Sequence, residues 1–140
     1  MSYTWNPISG QLDIVRPKPQ SVKKVIESYT AGETLSALTL VRSNGTSVVK
    51  ANPDTITNSE VLGLAITAAA SGNQVNVLIF GTLEDASFSS FNLNKSIYLS
   101  DNGVMSQTIP VLPASNYQVL VGKYLGSDTI FLSIEDSIQL

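Results

Sequence analysis

The sequence predicts an all-β fold: a compact antiparallel β-sandwich or barrel over residues 31–140, behind an extended N-terminal arm and linker over residues 1–30. Three observations predict it. From Ala31 onward, short runs alternate apolar and polar residues. Turn signals close these runs every ~8–12 residues, the spacing of sandwich and barrel strands. From Met1 to Gln20 no period is sustained, and Arg16-Pro17-Lys18-Pro19 carries two prolines at alternate positions, which bar helix and favour an extended path.

The arm comes first. Trp5-Asn6-Pro7 leads into a Ser9-Gly10 turn, and Leu12, Ile14 and Val15 follow. The only Trp of the chain lies here, with Tyr3 and Ile8 beside it. Apolar residues on a proline-broken segment need a surface to cover them. Tyr3, Trp5, Pro7, Ile8, Leu12, Ile14, Val15 and Arg16 are therefore the candidate docking residues; the surface is either the chain's own domain or another protein, with another protein the expected partner. Val22, Val25, Ile26 and Tyr29 follow the helical spacing i, i+3, i+4, i+7, but the run is short and rich in β-branched residues. It reads as a linker forming either a short helix or a first strand. If copies of the chain associate, this stripe is the expected place for them to meet.

The domain elements follow in order. Leu38 to Arg42 and Thr46 to Ala51 flank Ser43-Asn44-Gly45, a strong hairpin signal because Asn and Gly tolerate positive φ. Asn52-Pro53-Asp54 turns the chain again. Val61 to Ala70 reads as a strand ending at Ser71-Gly72-Asn73, with helix the competitor because of Ala68-Ala69-Ala70. Gln74 to Phe80 is the clearest strand, buried on both faces near its end and broken at Gly81. A polar stretch from Thr82 to Asn94 is held by Leu83, Phe88, Phe91 and Leu93. Ser96 to Ser100 turns through Asp101-Asn102-Gly103 into Val104-Met105, and Pro110 and Pro113 mark a loop. The last two strands are Gln118 to Tyr124 and Thr129 to Ile134.

Composition narrows the function. Charged residues are 14% of the chain, against roughly 25% in an ordinary soluble domain. A surface of small polar groups suits either extensive contact with other protein or a plain β-domain with neutral faces. The net charge of −3 argues against nucleic acid, whose phosphates require a basic surface. No apolar run approaches the ~20 residues of a membrane span. The opening residues have no basic-then-apolar signal pattern, so synthesis in a cytoplasm is expected.

His and Cys are both absent, which excludes disulfides, zinc sites of the usual kind, and thiol or imidazole catalysis. No nucleotide-binding glycine motif or activated-serine pattern occurs, and no cofactor is expected. Glu84-Asp85 and Glu135-Asp136 are adjacent pairs, so within a strand each pair would point to opposite faces. Pairing between the two clusters stays open. Asn52-Pro53-Asp54 and Asp101-Asn102-Gly103 offer oxygens for calcium but are ordinary turn tripeptides. Trp5, Tyr98, Tyr117 and Tyr124 could stack on sugars, although Tyr98 and Tyr124 fit strand cores better. The basic cluster Arg16, Lys18, Lys23 and Lys24 reads as a solvated linker or a segment seated on an acidic partner surface.

The run Tyr3-Thr4-Trp5-Asn6-Pro7-Ile8-Ser9-Gly10-Gln11-Leu12-Asp13-Ile14-Val15 resembles a start found on tailed-bacteriophage virion proteins. Ala31-Gly32-Glu33-Thr34-Leu35, Val61-Leu62-Gly63-Leu64-Ala65 and Ser71-Gly72 leading into Val75-Asn76-Val77 and Phe80-Gly81 resemble small phage β-modules of head-fibre, capsid-decoration or tail-fibre type. The resemblance implies a non-enzymatic structural protein made in the host bacterial cytoplasm and carried in the virion. Its implied partners are capsid or tail proteins and further copies of itself, with a homotrimer favoured. A host-glycan binding module of a tail fibre is the alternative.

Overall fold

The computed structural model describes residues 2–6, 11–15, 24–113 and 115–140, the first two stretches as backbone only. These residues form thirteen strands: β1 (Ser2–Asn6), β2 (Gln11–Val15), β3 (Lys24–Thr30), β4 (Thr39–Ser43), β5 (Val48–Lys50), β6 (Gly63–Ala65), β7 (Gln74–Glu84), β8 (Ser96–Leu99), β9 (Met105–Ser106), β10 (Tyr117–Gln118), β11 (Leu120–Gly126), β12 (Thr129–Leu132) and β13 (Ile138–Gln139). Two 3-10 turns, Ala86–Ser90 and Asp101–Gly103, punctuate them. Among the described residues β1 pairs only with β2, and β10 only with β13. The other nine strands make one antiparallel sheet that curls into a half-barrel, so the all-β expectation holds.

The sheet is organised around β7. Leu78 pairs with both Ile26 of β3 and Leu64 of β6, and Gly81 pairs with both Lys24 of β3 and Leu132 of β12. A strand has two edges, so β3 runs along one edge and β6 and β12 follow each other along the other. The sheet therefore forks at β7. One branch runs through β6 to β4 and β5, the other through β12 to β11, β8 and β9.

A β-bulge sits at the fork. Ile26 pairs with Leu78 and Val25 with Phe80, which leaves Ile79 as the extra residue. A bulge shifts which residues face which side and bends its strand. Leu78 belongs to the inner core before it, and Leu83 packs on the same core after it. The unbroken apolar run Val77-Leu78-Ile79-Phe80 fits this shift, because one strand face cannot hold four consecutive residues.

Period-2 alternation then builds two cores. Leu40, Leu64, Leu78, Ile97, Leu99, Val121, Ile130 and Leu132 line the concave side with Phe88. Val41, Ala65, Val75 and Val77 point the other way and pack with Ala31, Leu35 and Val48. Bridges from Ala31 to Val48 and from Leu35 to Ala69 bring this cover onto the sheet.

Several sequence expectations change. Of the two readings of the linker, a short helix or a first strand, Lys24–Thr30 takes the strand and pairs with β7. β-strand pairing with β7 outweighs the short helical spacing of Val25, Ile26 and Tyr29. Gly81 does not end its strand: with φ of 118° it carries β7 past the bulge to Glu84. Of Val61 to Ala70 only Gly63–Ala65 is strand, and none of it is helix. β13 had no alternation to announce it.

Gly63 fixes the spacing of the first branch. A Cβ added there would collide with the Leu78 carbonyl of β7 and with Val77. Gly63→Ala is expected to destabilise by about 1–3 kcal/mol, as overpacking does. Urea unfolding should show the loss as a lowered midpoint at unchanged slope.

Candidate docking surfaces

The arm forms a hairpin. Its register sets Tyr3 opposite Ile14 and Trp5 opposite Leu12. Alternate positions of paired strands share a face. Tyr3, Trp5, Leu12 and Ile14 thus occupy one face of the hairpin, and Ser2, Thr4, Asn6, Gln11, Asp13 and Val15 the other. The sequence suggested an extended arm; its two extended pieces pair with each other. Pro7, Ile8 and Arg16 lie outside the described residues.

The self-association stripe does not share one face. In β3, Val25 pairs with Phe80 and Tyr29 with Val75, on the convex side, while Ile26 pairs with inward-pointing Leu78. Ile26 is exposed, whereas Val25 and Tyr29 are half-buried. Val22 lies outside the described residues. The Tyr29 hydroxyl donates to Glu27 at 3.3 Å. Its pKa is pushed up, first by burial and then by the charge and hydrogen bond of Glu27.

A cleft of about 560 Å³ opens where the two branches part. Its floor is Leu62, Ile79, Phe80 and Ile134, and its rim carries Glu60, Glu135 and Asp136. Pairing to β6 ends at Leu78 and pairing to β12 starts at Gly81, so Ile79 and Phe80 have no strand partner on the cleft edge among the described residues. Phe80 is 39% exposed and meets Phe131 edge-to-face at 5.2 Å. A polar clamp joins the walls. The hydroxyls of Ser59 and Ser137 lie 2.8 Å apart, and Ser137 also donates to the Ser59 carbonyl at 3.1 Å. Ser59 is fully buried. The sequence did not reveal this site, because its walls are separated by most of the domain. The one local signal was the run of consecutive apolar residues through Phe80.

The other candidates stay apart or are already satisfied. Glu84 pairs with Thr129 at one end of β12, whereas the backbone N–H of Glu135 bonds to Leu120 beyond the other. At ~3.3 Å per residue the two acidic clusters are roughly 20 Å apart, beyond the spacing of a glycosidase pair. A carboxyl used as a general acid is normally enclosed by apolar groups, and Glu60, Glu135 and Asp136 are exposed. The two turns considered for calcium do meet, through a 2.7 Å bond from the Asn102 N–H to Asn52 Oδ1. Their oxygens serve as turn caps: Asp54 Oδ1 accepts from the Thr55 N–H at 2.8 Å and from Asn58 at 2.9 Å. Among the described residues no three carboxylates gather as metal ligands. Tyr124 is a core residue whose hydroxyl accepts from the Asp128 N–H at 3.1 Å. Tyr98 and Tyr117 are half-buried.

No protein-family model matches the chain, and no curated protein matches it. Among solved structures it is similar to the N base of the head fiber gp8.5 of bacteriophage phi29. The TM-score is 0.43, with 14% identity over 84% of this chain and 98% of that one. So loose a superposition bears by itself on neither function nor partner.

Ser137→Ala removes one side of the clamp and should cost roughly 0.5–1.5 kcal/mol in urea unfolding. The Asp54 carboxyl is held below its ordinary value of 3.8, chiefly by Asn58, and that of Asp85 by the Ser87 hydroxyl and N–H. Depressed carboxyls stabilise fully above their unfolded-state value and lose that contribution as pH falls through the native one. Asp54→Asn with Asp85→Asn should therefore flatten the fall in stability below about pH 4, as followed by thermal melts across the acid range.

Proposed function

We propose that this chain is a non-enzymatic structural protein of a tailed-bacteriophage virion, joined to the capsid or tail by its N-terminal hairpin. The β-domain then projects as a decoration, cement or fibre-base module. The observation that carries the reading is the hairpin: the segment resembling phage virion proteins is a two-stranded sheet of its own, with Tyr3, Trp5, Leu12 and Ile14 on one face. A two-stranded hairpin is marginal alone in water and gains stability when an apolar face is covered. Full burial of an apolar side chain is worth roughly 1.5–3 kcal/mol, so four such positions suffice for firm docking. The low charge of the chain suits a protein surrounded by other protein. A homotrimer is the favoured assembly, because fibres and decoration proteins commonly have that symmetry.

Deletion of residues 1–20 tests the reading. It leaves β3 and its whole pairing with β7 in place, so the truncated chain should melt cooperatively near the temperature of the full chain. In particle assembly it should fail to sediment with virions. Truncated protein that enters particles at the normal level would refute hairpin docking.

A further inference from the structure

We propose that Asn44 is a modification site, whose side-chain amide is lost spontaneously through a succinimide formed with the Gly45 nitrogen. Asn-Gly occurs twice in the chain, at 44–45 and at 102–103. The fold opens the first to this reaction and closes the second. In the reaction the Gly45 backbone nitrogen attacks Asn44 Cγ. The N–Cγ bond forms and the Cγ–Nδ2 bond breaks. Ammonia leaves with the proton of the Gly45 nitrogen, and a five-membered ring remains. Water then opens the ring at either carbonyl. One opening gives an ordinary aspartate, and the other gives a β-linked aspartate whose main chain runs through the side chain.

The β4–β5 turn arranges each group the reaction needs. Asn44 Oδ1 accepts from the N–H groups of Thr46 and Ser47 at 3.1 and 2.9 Å, and from the hydroxyls of Ser47 and Thr46 at 3.2 and 3.4 Å. Negative charge builds on this oxygen as the nitrogen adds, and donors already aimed at a developing oxyanion lower the barrier. The Gly45 N–H, whose proton must leave, donates to Ser43 Oγ at 3.1 Å. Gly45 has no side chain to block the attack, and a Cβ built on it would meet nothing within 4 Å among the described residues. The peptide can therefore swing toward Cγ without displacing a neighbour. Residues 43–46 are exposed, so water and ammonia pass freely.

The same dipeptide at Asn102-Gly103 is held shut. Asn102 lies in the left-handed region with φ 59° and ψ 30°, which turns the Gly103 nitrogen away from the Asn102 side chain. Its N–H is bonded to Asn52 Oδ1 at 2.7 Å. Gly103 is buried, and a Cβ there would collide with the Leu40 carbonyl. Ring closure must first open this turn, which is a local unfolding.

Conversion at Asn44 replaces a neutral amide with a carboxylate and takes the net charge from −3 to −4. The β-linked form also lengthens the main chain beside the Ser43–Val48 pair, where β4 meets the outermost strand β5. The β4–β5 hairpin is therefore the part of the sheet that changes as the protein ages. This inference is independent of the virion reading.

The test ages the full chain in mildly alkaline buffer made with heavy-oxygen water, folded and in parallel in urea, and maps tryptic peptides by mass spectrometry. The peptide of residues 43–50 carries Asn44, and that of residues 96–123 carries Asn102. In urea the two positions should convert at similar rates. In the folded chain Asn44 should convert at least as fast as in urea, taking up one heavy oxygen and giving mainly the β-linked form. Asn102 should fall behind it by about tenfold or more, because its turn must open first. Equal rates at the two positions in the folded chain, or an Asn44 that converts more slowly folded than in urea, would overturn the proposal.

Discussion

The constraint on which the structure depends is the sharing of β7 by two branches. One edge of this strand carries β6 and then β12, and the opposite edge carries β3 past β6 as far as Gly81, where β12 begins. Strand pairing needs a continuous edge, and two strands cannot occupy the same edge at the same residues. The bulge at Ile79 resolves this, bending β7 so that the branches diverge and still enclose one concave core. The curl of the sheet and the position of the cleft both follow from that junction. So does the burial of Leu64 against Leu78 on one side and of Ile130 beside Leu83 on the other.

Much of this was legible in the sequence, and the parts that were not share a cause. The β4–β5 hairpin was readable because Asn44-Gly45 acts locally, with Asn44 Oδ1 accepting from the N–H groups of Thr46 and Ser47 at 3.1 and 2.9 Å. The same holds for the turn at Asp101-Asn102-Gly103. β3 was ambiguous because its partner lies some fifty residues on, and its own residues suit two periods. Gly81 looked like a terminator, since a positive-φ residue ends a strand or bulges it, and only the pairing partners decide which. The cleft was invisible because Glu60 and Glu135 meet through the fork alone.

The chain divides its labour between two kinds of surface. In the domain, turn oxygens serve as caps, Tyr124 is closed into the core, and the Ser59–Ser137 clamp joins the cleft walls. The hairpin sets Tyr3 opposite Ile14 and Trp5 opposite Leu12. Residues 16–23 carry a charge of +3 on a chain whose net charge is −3.

The most direct test of the shared-strand account is native-state hydrogen exchange in low denaturant. If β7 unites both branches, the amides of Leu40 and Val41 in β4 and of Val121 and Ile130 in β11 and β12 should exchange through one opening. They should then have the same free energy and the same denaturant dependence. Separate openings, with the β4–β6 branch exchanging while β11 and β12 stay protected, would contradict it.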